Sequence, residues 1–237
     1  MTIFLYTVFP DILLSLSTCS SNLNKFIQSN EIKIINLKNE EKFESRIIGG
    51  GGMAFNYDCF SGILDSVEGK KVFLSPDGIK LTQSLLYEIN DLTQTEDLHI
   101  FLTRYEGFDG RLNEKIDFNI SIGDFVVSNG EIAALLFLDS LFRLKGTVKK
   151  HSLEDSFNNN LLDVDCFTNT EKIQSNDLEI LKSGNHKKIA EWKKRYSLFK
   201  TAFFRPDLLS KVSLCKTDYN ILIEIRRIIN QCMKELS

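Results

Sequence analysis

Three short segments set glycine and polar side chains directly after apolar, strand-like runs, and each could hold a polar ligand. In FLSPDG, Phe73 to Gly78, proline fixes φ and glycine supplies φ > 0. The same residues also read as an ordinary turn. TRYEGFDGR, Thr103 to Arg111, has two glycines that would let backbone groups approach a ligand. Taken by itself, the segment reads better as a solvated turn with an Arg–Glu pair. SIGDFVVSNGE, Ser121 to Glu131, leads into the helical pattern EIAALLFLDSLFRL. Unsatisfied N–H groups at a helix start favour an anion or polar ligand. Ser128 or Asn129 as a plain N-cap accounts for the same residues. The run Gly49 to Gly52 would allow close backbone approach, or serve as a hinge.

Other chemistries find little support. GxGxxG and GxxxxGK[ST] are absent, which removes the dinucleotide and P-loop readings. His99 lies inside an apolar strand pattern and reads as core. His151 and His186 stand in no nucleophile motif. Cys19, Cys59, Cys166, Cys215 and Cys232 are scattered and form no CxxC or Cys/His cluster. The expectation is free thiols in a reducing cytoplasm, with neither a disulfide framework nor a zinc site.

Charge is uneven. Between Lys182 and Arg205 stand Lys187, Lys188, Lys193, Lys194, Arg195 and Lys200, opposed by Glu191 alone. Trp192, Tyr196, Phe199, Phe203 and Phe204 are interleaved, and Lys145, Lys149 and Lys150 precede the block. The chain as a whole carries −3 with a pI near 5.7, which argues against non-specific coating of nucleic acid. On such a chain the block is a candidate phosphate-binding surface. An ordinary helix with solvated lysines has the same composition.

The elements that must position these residues alternate. Strand patterns at 3–9, 32–37, 71–76, 98–103 and 121–128 are separated by amphipathic stretches around 11–28, 55–67, 80–92 and 130–144. This predicts an α/β fold of parallel βαβ units, with ligands at the carboxyl ends of the strands. After residue 146, KKHSLEDSFNNN reads as an exposed linker. Helix is predicted from Asn185, and again at the end, where Ile221, Ile225, Ile228, Ile229 and Met233 have helical spacing behind a Thr217 or Asp218 cap. The predicted plan is an α/β domain at 1–146, a flexible linker at 147–160 and a helical domain at 161–237. A length of 237 residues, 43% hydrophobic and 26% charged, suits a soluble globular chain of this plan. No apolar run reaches the about 20 residues that cross a bilayer. MTIFLYTVFPDILLSL lacks the basic start of a signal peptide.

Taken in order, VFPDIL, IIGGGGM, VFLSPDGIKL, TRYEGFDGR, SIGDFVVSNGE, LDSLFR, EDSFNNNLLD, LKSGNHKKIAEWKKRYSLFKT and FRPDLL resemble the bacterial tRNA (guanine-N1)-methyltransferase family, the TrmD type. They span about residues 8 to 209. The resemblance implies a SPOUT-type parallel sheet with a trefoil knot in the C-terminal part of the α/β domain, followed by a small helical domain that binds tRNA. It implies a cytoplasmic homodimer acting on RNA, with no membrane and no DNA partner. Its cofactor is S-adenosylmethionine, held here by Phe73, Leu74, Ser75, Thr103, Tyr105, Glu106, Gly107, Ile122, Gly123, Asp124, Phe125, Val126, Val127, Asn129, Gly130 and Ala133.

The implied reaction is methyl transfer to N1 of the guanosine at tRNA position 37, next to the anticodon. Neutral guanine N1 carries a proton, so a base must remove it. The resemblance assigns that role to Asp155. Negative charge then grows on O6 and needs a cation, which the resemblance places at Arg143. It puts tRNA contacts on Lys149, Lys150, Lys187, Lys188, Lys193, Lys194 and Arg205. Mg²⁺ is a family expectation, with no metal ligand assigned here. This chain departs from the family at Thr103, Asn129 and Ala133, where the pattern has Gly, Gly and Pro. Two rival readings stay open: a knotted methyltransferase with another RNA target, and a non-catalytic RNA-binding dimer.

Overall fold

The computed structural model describes residues 2–18, 21–29, 31–37, 43–44, 47–48, 50, 52, 54–55, 57–103, 106–145, 155–168 and 176–235. Tyr105, Lys149, Lys150, His151, Gly49 and Gly51 lie outside them, as does most of the predicted linker. The chain divides into two compact units, Met1–Lys149 and Lys150–Ser237.

The first unit runs β1 (Ile3–Thr7), α1 (Pro10–Ser17), α2 (Ser21–Gln28), β2 (Ile32–Asn36), β3 (Phe43–Glu44), β4 (Ala54–Phe55), α3 (Tyr57–Ser66), β5 (Lys70–Lys80), α4 (Gln83–Leu92), β6 (Leu98–Phe101), β7 (Phe118–Ser121) and α5 (Gly130–Lys145). A 3₁₀ turn, Gly110–Lys115, precedes β7. Five strands form a parallel sheet in the order β2-β1-β6-β5-β7, while β3 and β4 pair antiparallel. Side chains alternate across a strand, and this splits the core in two. Ile3, Leu5, Val72, Leu74, Leu98 and Ile100 face α1, α2, α4 and α5. Tyr6, Phe73 and Phe101 face Phe60 and Leu64 of α3.

α5 is apolar around much of its circumference because it is covered. Ala133, Ala134, Phe137, Leu138, Leu141 and Phe142 are all buried, at about 1.5–3 kcal/mol for each large side chain. Glu131 is buried with them and accepts the Thr7 hydroxyl at 2.7 Å. His99 is the core residue its pattern predicts. Its Nδ1 meets the Tyr6 hydroxyl at 3.0 Å and its Nε2 the Glu68 carbonyl at 2.8 Å.

Two strand predictions need correction, and both concern the site. The strand expected at 121–128 ends at Ser121. Gly123 turns away with φ +149°, and its N–H donates to Ser121 Oγ. Val126, whose β-branched type suggested a strand, is 88% exposed. Strand β5, expected to stop at Pro76, continues to Lys80. Leu74 and Ile79 both pair with Ile120, so Ser75–Gly78 form a bulge between them.

The second unit is irregular from Asp155 to Thr168 and then helical: α6 (Asn176–Lys182), α7 (His186–Phe204), α8 (Pro206–Leu209) and α9 (Lys216–Glu235). Gly184 at φ +70° and Asn185, whose side chain accepts the Lys188 N–H at 3.2 Å, start α7. Asp218 sits in the first turn of α9 and accepts the Cys215 N–H. Residues 155–160, predicted as linker, are tied to this unit: Asn160 donates to the Lys211 carbonyl at 3.4 Å.

Candidate active site

The three segments converge at the bulge of β5 and the carboxyl ends of β6 and β7. They enclose a cavity of about 480 Å³, within the size range of small-molecule sites. The bulge of β5 supplies Leu74, Ser75, Pro76 and Asp77. The segment after β6 supplies Thr103, Glu106, Gly107 and Phe108. The segment after β7 supplies Ile122, Gly123, Phe125, Val126, Val127 and Asn129, and α5 adds Gly130 and Ala133.

Backbone geometry explains the glycines. Gly107 has φ +90°, a left-handed conformation costly for other residues. At Gly130 a Cβ would come within 2.8 Å of the Thr103 carbonyl, because the Gly130 N–H donates to that oxygen at 3.2 Å. Asn129 caps α5, its Oδ1 accepting the Ile132 N–H at 3.0 Å, and it also lines the cavity. The two readings of Asn129 therefore coexist. Thr103 is not left-handed, so the backbone there does not require glycine. The threonine costs cavity volume and leaves the turn unstrained.

Polar side chains inside the bulge are organised. Asp77 accepts from the Ser75 hydroxyl and from the Asn119 amide at 3.3 Å. Asp77 and Glu106 both line the cavity, and none of its described lining residues is Lys, Arg or His. Beyond Glu106, Arg111 pairs with Asp109 at 2.7 Å, not with the glutamate. The Arg111 side chain holds the Asp109 carboxyl down to about 2.

Two sequence candidates point elsewhere. Phe73 is fully buried in the core, edge-on to Phe101 and tilted against Phe108, and its ring does not line the cavity. Asp124 turns to solvent and bonds Lys80 at 2.8 Å. Pro76, Asp77 and Phe108 line the cavity although none was singled out, and the flagged motifs contained all three. Asn113 also lines it, and nothing in its sequence context signals that.

Arg143 is exposed in the last turn of α5. In the second unit, Asp155 lines a separate cavity of about 510 Å³ with Asn159, Lys193 and Lys194. The loop that carries it is held in an unusual conformation: Phe157, Asn159 and Asn160 all have positive φ. Such strain persists only where surroundings enforce it. Here the Ser156 hydroxyl accepts the Asp163 N–H, and the Phe157 N–H meets the Leu161 carbonyl at 2.6 Å.

Many of the block's cations are already matched. Lys194 pairs with Asp218, Arg195 with Glu224, Lys200 with Asp165 and Arg205 with Asp207. Arg205 also lies 5.9 Å from the Phe157 ring centre. Burial pushes the Asp218 carboxyl up, but the Cys215 N–H and Lys194 outweigh it and lower its pKa. Lys187 and Lys188 stand exposed in the first turn of α7. No group of three His, Cys, Asp or Glu among the described residues could hold a metal ion, so no step is assigned to Mg²⁺.

A parallel α/β unit with a cavity at its strand ends belongs to the class of folds that bind small molecules there. A family model described as tRNA (Guanine-1)-methyltransferase TrmD matches residues 1–211. A tRNA (guanine-N(1)-)-methyltransferase of Mycoplasma mobile is 37% identical over 194 residues, 78% of this chain and 98% of its own length. The protein of the same name from Caldicellulosiruptor saccharolyticus is 36% identical over 234 residues, 92% of this chain and 94% of that one. One from Mycoplasma pneumoniae is 40% identical over 178 residues, 73% and 76% of the two chains. The chain belongs to the TrmD family of tRNA (guanine-1)-methyltransferases. No helix among its described residues is long and apolar enough to cross a membrane.

Proposed function

We propose that the protein transfers a methyl group from S-adenosylmethionine to N1 of the guanosine at tRNA position 37, in the cytoplasm, as a homodimer. The observation that carries this is the charge of the strand-end cavity. Its described walls offer the carboxylates of Asp77 and Glu106, which suit a ligand bearing a sulfonium and an ammonium. Leu74, Ile122, Val127 and Ala133 offer the apolar surface an adenine ring needs. When bound there, S-adenosylmethionine supplies an electrophilic methyl group.

The chain's own residues do the rest. Asp155 takes the N1 proton, which makes N1 nucleophilic as attack begins. Arg143 faces the negative charge that moves onto O6. As a guanidinium it stays charged throughout, which suits a stabiliser. The strained loop of Phe157, Asn159 and Asn160 supports a positioned role for Asp155. The tRNA contacts fall to Lys187, Lys188, Lys193, Lys194 and Arg205 in a helical domain at 161–237, and to Lys149 and Lys150 in the linker at 147–160 that precedes it. A trefoil knot in the domain at 1–146 is part of this reading. The return of the chain from edge strand β7 to the end of β6, where the Gly130 N–H meets the Thr103 carbonyl, supports it.

The test is transfer of labelled methyl to two tRNA transcripts that differ only in G or A at position 37. Incorporation into the G transcript alone is expected. Equal incorporation into both would move the target base elsewhere.

A further inference from the structure

Six aromatic rings form a continuous line on the second unit. Phe167 meets Trp192 at 6.0 Å between ring centres, and Trp192 stacks on Tyr196 at 4.9 Å. Tyr196 to Phe199 is 6.4 Å, Phe199 to Phe203 is 6.2 Å, and Phe203 to Phe204 is 5.0 Å. Positions 192, 196, 199 and 203 follow the i, i+4, i+7, i+11 spacing of one helical stripe. That stripe lies opposite the buried Leu198 and Thr201, so it is not the core face of α7. Phe203 and Phe204 are 62% and 63% exposed, and Phe167 and Phe199 are exposed as well. Contiguous apolar surface of this kind marks an interaction site.

Charge selects the occupant. At 100° per residue, Lys188 and Arg195 flank the stripe on one side, and Lys193 and Lys200 flank it on the other. α7 carries six cations and one acid, Glu191, in a chain of net charge −3. The rings are also held in place. The Trp192 indole N–H donates to Asp177 at 2.7 Å, and the Tyr196 hydroxyl donates to Asp165, which Lys200 also bonds. A ring already fixed loses little entropy on binding. Exposed aromatic faces edged by cations suit splayed, unpaired nucleic-acid bases beside their phosphates. A second copy of this chain would set one cationic stripe against another.

We propose that this line of rings is a stacking platform for unpaired bases of the tRNA anticodon loop. It deepens the tRNA reading above and rests on it. Duplex RNA keeps its base faces inside the stack, so the platform reads loop and not stem.

Trp192 is the chain's single tryptophan and stands second in the line, so its fluorescence reports occupancy directly. The full chain is titrated with the anticodon stem-loop RNA and with the same stem as a blunt duplex. Quenching by the stem-loop and not by the duplex is expected. Phe203→Leu with Phe204→Leu keeps apolar surface and removes the rings; it should weaken stem-loop binding by about tenfold. Phe203→Tyr with Phe204→Tyr should retain it. Tight stem-loop binding with no quench, unchanged in the Leu pair, would overturn the platform and leave the tRNA reading standing. Failure to bind stem-loop or whole tRNA, with no methyl transfer to the G transcript, would overturn both. Self-association in sedimentation that the Leu pair abolishes, with RNA binding unaltered, would give the rings to a second copy instead.

Discussion

The two units solve binding in opposite ways. The first makes its cavity largely from main chain: a bulge at Ser75–Gly78, a left-handed Gly107, a turn at Gly123 and a close crossing at Gly130. The second works with side chains: a carboxylate at Asp155, cations along α7, among them the paired Lys194 and Arg195, and a line of exposed rings. A site built from backbone tolerates changes of side chain, and Thr103 and Ala133 lining the cavity without visible strain are examples. A site built from side chains is sensitive at each position. On the proposed function, the cofactor cavity should be robust to drift in sequence, and the side chains of the second unit are where single substitutions should be felt in turnover.

The sharpest way to break that contrast is Asp155→Ala. Loss of a general base should cut single-turnover methyl transfer by about 10² to 10⁴-fold. A near-native rate would remove Asp155 from the mechanism. Arg143→Ala removes the cation proposed to face O6 and should slow the same step by about 10²-fold. An unchanged rate, measured by rapid quench with saturating tRNA, would leave that role empty. In the backbone-built cavity the sensitive position is a glycine. Gly130→Ala puts a methyl 2.8 Å from the Thr103 carbonyl. It should destabilise the first unit by about 1–3 kcal/mol and weaken cofactor binding, as thermal unfolding and calorimetry would read. Full affinity at wild-type stability would show that the crossing is not tight.

The smallest effect concerns pH. Burial holds the His99 imidazole below its ordinary pKa, against the Glu68 carbonyl and Asp97, which act to raise it. Between that lowered value and the unfolded value of about 6.5, the unfolded chain binds more protons. The contribution of His99 to stability is thus present above about pH 6.5 and fades as pH falls through the lowered value. Denaturant midpoints of wild type and His99→Gln should converge as the solution is acidified from neutral to about pH 5. A gap that widens on acidification would reverse the sign.

The sequence revealed the strands of the parallel sheet better than the points where they end. The strands near 3–9, 32–37 and 98–103 were legible because one-sided or two-sided burial leaves unbroken apolar runs such as IFLYTVF and LHIFLT. DFVVS misled because two valines look like strand, whereas Gly123 had already turned the chain out of the sheet. Ser75–Gly78 carried a turn signal that the strand absorbed as a bulge, because Ile120 pairs on both sides of it. Phe73 and Asp124 belonged to the right segments but their side chains lead elsewhere: strand alternation sends Phe73 to the core face opposite Val72 and Leu74, and Asp124, past the end of β7, turns to solvent and Lys80. Asp77 escaped notice because an acid in a Pro-Asp-Gly turn has an ordinary explanation. Only the shared position of Asp77 and Glu106 on one cavity wall gives it another. The pairing of Lys194, Arg195 and Lys200 with acids 24 to 35 residues away could not be seen along the chain at all.

The division of labour between the units is tested most directly by calorimetric S-adenosylmethionine binding to wild type, Asp155→Ala and Gly130→Ala side by side. Wild-type affinity in Asp155→Ala with a clear loss in Gly130→Ala is the expected result. Loss of binding in Asp155→Ala, with Gly130→Ala unaffected, would contradict the account by placing the cofactor's hold in the second unit.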